Sequence, residues 1–180
     1  MPPRSYLFLG LALLVAACDT GEDLPRLDAR FEATVTGDRS GDFAGRAVAE
    51  RQNRPKGDVE MTVESRFEVL LWSDSEQMWA RFVVVEDSAQ GLVPRSYAVK
   101  STPVTLSELR EGVAVGEIWL AEPGSEGQYV FHTRGTLEVT ESDSDGAQAA
   151  FRLDAKGVAD EGDTLRVEVV GRFGVKFLVY

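Results

Sequence analysis

The feature that most constrains the fold is an alternation of apolar and polar residues near the C-terminal end, over residues 165–177. Successive side chains of a β-strand point to opposite faces, so this pattern predicts a strand with one buried face. The apolar or glycine parity comprises Leu165, Val167, Val169, Gly171, Phe173, Val175 and Phe177. We expect this strand to pair with a neighbour on each side, near the centre of a sheet, and Phe173 to be buried. A shift of the strand register by one residue would expose all the apolar side chains to solvent. At about 3.3 Å per residue the strand would span roughly 43 Å, so a bend or bulge is expected near Gly171 or Gly174.

Shorter alternations of the same kind follow one another from residue 31 onward. They predict strands over residues 31–36, 43–50, 67–72, 78–85, 117–121, 128–133, 135–141 and 149–155. Short strands separated by turn-forming residues at such intervals are typical of an antiparallel β-sandwich or β-barrel. The sequence therefore predicts an all-β fold.

Two segments lack the alternation. Arg51–Gly57 contains a proline and a glycine and is predicted to be a loop. Residues 86–115 are predicted to be irregular, apart from one short helical turn at Thr105–Gly112. Thr105 and Glu108 have the spacing of a capping box, and Gly112 can end the turn.

Length and composition are those of one globular domain, which we place at residues 27–180. The chain has 180 residues and 43% hydrophobic content, enough for a core without disulfides. Its formal net charge is −11, which disfavours nucleic acid as a partner.

The N-terminal residues 1–17 have the pattern of a signal peptide. Arg4 supplies a positive charge, and the apolar run Tyr6–Ala17 follows it. Twelve residues are too few to span a bilayer, and small residues at Ala16 and Ala17 suit a cleavage site. Cys18 is the only cysteine, so it cannot form a disulfide within the chain.

The residues Leu14–Cys18, Leu-Val-Ala-Ala-Cys, resemble the lipobox of bacterial lipoproteins. The resemblance implies that a diacylglyceryl group is attached to the Cys18 thiol, that the chain is cut before Cys18, and that acyl chains such as palmitate anchor it. It also implies a location on the cell membrane or the outer membrane, facing the periplasm or the exterior. Asp19 resembles the inner-membrane retention signal of enterobacterial lipoproteins.

The lipidated cysteine and a polar linker would occupy residues 18–26. The eight linker residues Asp19–Arg26 reach at most about 26 Å, so the domain should lie close to the bilayer. The membrane, through this anchor, and other envelope proteins are the expected partners.

No catalytic residue and no cofactor is predicted. His132 is the only histidine, and the chain has no Gly-x-Ser-x-Gly motif. A zinc site of the usual composition would need further histidines or cysteines.

Three charged segments are weaker candidates for binding. Glu141, Asp143 and Asp145 match the first half of a calcium loop, but Arg152 occupies the place of the closing glutamate, which favours a solvated hairpin turn. Asp160–Asp163 is a second acidic turn that would strengthen the calcium reading if it lay beside the first. Four basic residues around one loop are candidates for contact with lipid phosphates; these are Arg46, Arg51, Arg54 and Lys56.

The tryptophans Trp72, Trp79 and Trp119 do not follow the simple alternation. The strand at 78–85 is apolar on both parities except for Arg81, so we expect it to be covered on both sides, either by the segment 86–115 or by a ligand in a cavity. These observations predict a non-enzymatic structural or protein-binding lipoprotein domain. The alternative is a carrier of small apolar ligands or lipids, of lipocalin-like type, with the tryptophans lining its cavity.

Overall fold

Nine β-strands make up the architecture of the protein in a computed structural model. It describes residues 27–55, 63–86, 92–104, 108–109, 112–121, 128–158 and 164–179. The strands are β1 (Arg30–Gly37), β2 (Gly41–Pro55), β3 (Val63–Ser73), β4 (Met78–Glu86), β5 (Ser96–Lys100), β6 (Val113–Ala121), β7 (Gln128–Ser142), β8 (Gly146–Val158) and β9 (Thr164–Val179).

The strands form one sheet that closes in a ring, in the order β1–β2–β3–β4–β6–β5–β7–β8–β9. β9 pairs with β1 to complete the ring, and β6 also pairs directly with β7 beyond the short strand β5. Most pairs are antiparallel; β5 runs parallel to β6, and β2 runs parallel to the end of β9. The predicted all-β class is confirmed.

Strand β9 has the position that its alternation predicts. It pairs with β1 on one side and with β8 on the other, and Phe173 is 1% exposed. Both expectations are confirmed. Of the bend or bulge expected near Gly171 or Gly174, a bulge is absent from the pairing with β8, whose register runs unbroken from Thr164 to Lys176. The strand instead changes neighbour: Gly174 is opposite Arg30 of β1, and Phe177 is opposite Ala49 of β2.

The inside of the ring is filled by the apolar parity of the strands. Phe82, Phe151 and Phe173 contact one another there, with ring centroids 5.2–6.2 Å apart. A Cβ placed on Gly171 would lie 2.5 Å from the ring of Phe151, so the glycine leaves room for that ring. Glycine in this row is therefore part of the packing.

Two of the predicted strand limits are wrong. The predicted loop from Arg51 belongs to β2 as far as Pro55, because β3 supplies opposite partners from Phe67 back to Val63. The two strands predicted over 128–133 and 135–141 are one strand, β7, which passes through Gly135 without a turn. Its register shifts later, between Val139 and Glu141.

The segment predicted to be irregular contains β5 and the start of β6. β5 has only five residues, and it lies between β6 and β7 at one end of the ring. Of the predicted helical turn only Glu108, Leu109 and Gly112 are described. The Gly112 N–H donates to the Leu109 carbonyl at 3.3 Å, which closes one turn.

The first described residue, Leu27, is fixed to the sheet. Its N–H donates to Gln148 Oε1 at 3.1 Å, and Gln148 Nε2 donates to its carbonyl at 2.7 Å. Asp28 forms an ion pair with Lys176 of β9. The described chain therefore begins beside β8 and β9. Within the described ranges, no helix has the length and apolar character needed to cross a membrane.

Candidate functional site

The three tryptophans form one row on the outer face of the ring. Trp72 of β3 is directly opposite Trp79 of β4, and Trp79 is directly opposite Trp119 of β6. Their sequence neighbours Leu71, Ala80 and Ile118 have the other parity and are fully buried in the core. We call Trp72, Trp79 and Trp119 the tryptophan row.

The tryptophan row is partly open to solvent. The rings of Trp79 and Trp119 stack with centroids 3.5 Å apart and planes 4° from parallel. Trp72 stands beside them with 43% of its surface exposed. A groove of about 480 Å³ lies along Trp72 and Trp79 and extends to Arg46 and Glu76. The expectation that these indoles line a cavity inside the fold is therefore wrong: the alternation of β3, β4 and β6 turns them outward.

The turn between β3 and β4 holds Trp72 and Trp79 opposite each other. The buried Ser73 hydroxyl accepts the N–H of Gln77 at 3.1 Å and the N–H of Met78 at 2.9 Å. Asp74 accepts a hydrogen bond from Arg30 at 2.9 Å, which ties the start of β1 to the same turn. The start of β1, at Arg30, is therefore held beside the turn that follows Trp72.

The two described members of the predicted basic cluster, Arg46 and Arg51, do not lie together. Arg46 lines the groove beside Trp72, whereas Arg51 is 7% exposed with its guanidinium 5.8 Å from the centre of the Phe67 ring. The Arg54 side chain and Lys56 lie outside the described part of the chain. The prediction treated the segment as a loop, but a strand directs successive side chains to opposite faces.

A second groove, of about 770 Å³, crosses the outer face of β1, β9, β8 and β7. Its lining includes three residues that are directly opposite one another on adjacent strands: His132 of β7, Lys156 of β8 and Arg166 of β9. We call these three residues the basic row. All three side chains are exposed.

The cations that line this groove are Arg134, Lys156 and Arg166. Among the described residues, no carboxylate forms an ion pair with Arg134, Lys156 or Arg166. Glu168, which also lines the groove, is paired with Arg152 at 2.6 Å. Asp154, the second carboxylate of the lining, is directly opposite Arg134 on β7. Lys156 and Arg166 are directly opposite each other, so positive charge exceeds negative charge at this end of the groove.

Arg81, on the other side of the ring, shows the usual arrangement. It bonds Glu68 at 2.7 Å and Glu117 at 3.2 Å. The hydrogen bond to Glu68 raises the pKa of the Arg81 guanidinium above its ordinary value, against the opposing effect of burial. Arg81 is thus compensated by a carboxylate on each neighbouring strand.

His132 contacts one possible nucleophile. Its Nδ1 lies 3.3 Å from Ser101 Oγ, and both side chains line the larger groove. Within the described residues, no carboxylate is hydrogen-bonded to His132. A Ser-His pair of this kind lacks the group that orients and charges the imidazole in a catalytic triad.

The predicted acidic turn is a β-hairpin between β7 and β8. Asp143 Oδ1 accepts the N–H of Asp145 at 2.8 Å and of Gly146 at 2.9 Å, so the carboxylate serves the turn itself. In the described ranges, no three His, Cys, Asp or Glu side chains are grouped so that they could hold a metal ion. The structure does not gather Glu141, Asp143 and Asp145 into a site, and the second acidic turn at 160–163 lies outside the described residues.

A buried polar network lies at the end of β4. Glu86 accepts hydrogen bonds from Arg95 at 2.8 Å and from the Tyr97 hydroxyl, and the Arg95 guanidinium lies 4.8 Å from the centre of the Tyr97 ring. Burial and the hydrogen bond to Glu86 raise the pKa of Tyr97 well above its ordinary value. The charged groups satisfy one another, so the network has a structural role.

No family model, curated protein or solved structure matches the chain. The functional assignment therefore depends on the residues themselves. Cys18 and the whole segment before Leu27 lie outside the described residues, so lipidation stays a prediction from the sequence.

Proposed function

We propose that the protein is a non-enzymatic lipoprotein of the bacterial envelope, anchored to the cell membrane or outer membrane through Cys18. Its β domain binds a partner protein on the periplasmic or exterior side. The observation that carries the binding role is the basic row, which has no ion-pair partner among the described residues and lies in the larger groove of an acidic protein.

The basic row is unfavourable for the isolated domain. Residues directly opposite in an antiparallel pair have Cβ atoms about 4.5–5.5 Å apart, and like charges at this distance destabilise the sheet. Lys156 and Arg166 are such a pair, and His132 is directly opposite Lys156 on the other side. An anionic group from a partner would remove this repulsion.

An acidic segment of another protein fits the groove best. The groove extends across four strands, so several carboxylates along one segment can meet Arg134, Lys156 and Arg166. Hydroxyl groups at Thr36 and Ser101 supply neutral hydrogen-bonding partners at its sides. The overall negative charge of the chain confines such binding to this groove, because acidic segments are repelled elsewhere.

The larger groove is tested with a glutamate-rich peptide against a lysine-rich one. We expect the acidic peptide to bind with an affinity that falls as salt rises, and the charge reversal Lys156→Glu to abolish binding. Lys176→Glu is the matched control, since it makes the same charge change on β9 at a residue paired with Asp28. Equal affinity in the two variants would refute the groove as the binding site.

The anchor is tested by metabolic labelling with a palmitate analogue. The wild-type chain should incorporate the label and fractionate with membranes, and Cys18→Ser should do neither while its domain still folds, because the chain has no other cysteine. A Cys18→Ser protein that matures normally and stays with the membrane would exclude lipidation as the anchor. Hydrolysis of an envelope substrate that is lost in Ser101→Ala would contradict the non-enzymatic assignment.

A further inference from the structure

We infer that the tryptophan row is a membrane-docking surface, which seats the domain on the headgroup region of the bilayer that holds its N-terminus. This inference deepens the proposed function and depends on its anchor. It specifies which side of the ring faces the lipid.

The placement of the row gives the first reason. All three tryptophans of the chain lie on adjacent strands of the outer face, and the core contains none of them. An indole combines a large apolar ring with one N–H donor, and tryptophan is therefore enriched at membrane–water interfaces. Trp72 is exposed and Trp79 and Trp119 are half-buried, and an apolar surface of this kind marks a site of interaction.

The path of the N-terminal chain gives the second reason. The apolar run Tyr6–Ala17 and Cys18 are followed by only eight residues before Leu27, a reach of about 26 Å at most. Leu27 is bonded to Gln148 of β8, and three residues later Arg30 is bonded to Asp74 in the turn after Trp72. Arg30 is two strands from Trp72 and four from Trp119, or roughly 10 and 19 Å at the usual strand spacing. A bilayer that holds the N-terminal segment is thus within reach of every indole in the row.

The charges around the row suit a headgroup layer. Arg46 is directly opposite Trp72, and its guanidinium can meet lipid phosphate while the indole enters the interface. Asp74 is neutralised by Arg30, which leaves Glu76 as the remaining acidic side chain of this groove. The surface is therefore near neutral and suited to a membrane rich in phosphatidylethanolamine.

The opposite side of the ring stays free in this orientation. β9 is four strands from β4 in the order of the sheet, and the larger groove runs over β9, β8 and β7. Docking through the tryptophan row would turn the basic row away from the lipid. The two surfaces can then act at the same time.

The test uses the chain from Cys18 onward, which keeps every strand of the ring, coupled through the Cys18 thiol to a maleimide lipid. The vesicles contain phosphatidylethanolamine and phosphatidylglycerol with brominated acyl chains, which quench nearby indoles. A variant with Trp79→Phe and Trp119→Phe retains Trp72 as the only indole. We expect its emission to shift to the blue and to be quenched by the brominated lipid.

The matched control places the only indole on the far side of the ring. It carries Val170→Trp together with Phe at all three positions of the row, because Val170 is an exposed residue of β9, at 46%. Its emission should be unaffected by the brominated chains. Equal quenching of the two indoles, or no quenching of Trp72, would overturn the proposal.

One further outcome is decisive. A soluble dimer that Trp72→Asp converts to a monomer would show that a second copy covers the row, and would also overturn the inference. Because the maleimide lipid replaces the natural anchor, this test is independent of whether Cys18 is acylated in the cell. Absence of acylation would instead appear in the palmitate labelling.

Discussion

The indole planes of Trp79 and Trp119 lie 4° from parallel, with their centroids 3.5 Å apart on neighbouring strands. Aromatic pairs contribute about 0.5–1.5 kcal/mol beyond the area that they bury. A double-mutant cycle with Trp79→Ala and Trp119→Ala should therefore give a coupling energy of this size in urea unfolding. The pair Trp72 and Trp119, separated by β4, is the control and should be additive to within about 0.5 kcal/mol. A cycle without coupling would show that the rings do not stack in solution.

Truncation of Phe173 should be severely destabilising. The ring is 1% exposed and contacts Phe82 and Phe151, so Phe173→Ala leaves a cavity at the centre of the core. We expect a loss of about 3–5 kcal/mol in the free energy of unfolding. Val170→Ala, at an exposed position of the same strand, should change it by no more than about 0.5 kcal/mol. Similar values for the two variants would show that β9 is peripheral.

The added methyl group of Gly171→Ala should also destabilise the protein. It would lie 2.5 Å from the Phe151 ring and 2.6 Å from the Glu32 carbonyl oxygen, so both strands must shift. Overpacking of this kind costs about 1–3 kcal/mol. Chemical denaturation measures the loss, and an unchanged midpoint would mean that the ring of Phe151 moves freely.

Stability should fall at alkaline pH because of Tyr97. Burial and the Glu86 carboxylate raise the pKa of the folded-state phenol, whereas the unfolded phenol ionises near pH 10. The stabilisation is therefore complete below pH about 10 and is lost progressively above it, as only the unfolded state releases the proton. Tyr97→Phe should flatten this dependence while lowering stability at neutral pH by about 1–3 kcal/mol.

Absorbance of tyrosinate against pH provides the measurement for Tyr97. One tyrosine should ionise only when the protein unfolds, and that step should disappear in Tyr97→Phe. Tyr129→Phe is the control, because it leaves the contacts of Glu86 intact. Ionisation of Tyr97 at its ordinary pH in the folded protein would contradict the burial of its hydroxyl.

Period-two alternation was sufficient to predict the strands that have one buried face. β9 is the clearest case, since seven positions of one parity are apolar or glycine and the other parity carries most of its charges. β5 was missed because five residues carry too little pattern. The extension of β2 to Pro55 depends on β3, which supplies the opposite strand, and no local signal in Arg51–Pro55 reports that pairing.

The site residues were harder to predict, because the order and register of the strands bring together residues that are distant in the sequence. The outward direction of Trp72 follows from its parity relative to Leu71, and that signal was present in the sequence. The alignment of Trp72, Trp79 and Trp119 requires β6 to lie next to β4, with β5 displaced between β6 and β7. The basic row likewise needs the register of β7, β8 and β9, which alternation alone does not provide.

The pairing of β1 with β9 has a consequence for the time at which the protein can fold. Phe31 is opposite Phe173, so the ring cannot close before nearly the whole sequence is present. Contacts so distant along the chain form slowly, because a long loop must be ordered before they are made. A chain that is delivered across a membrane N-terminus first would therefore stay open during its passage. The need to pair β1 with β9 would delay folding until transport has finished.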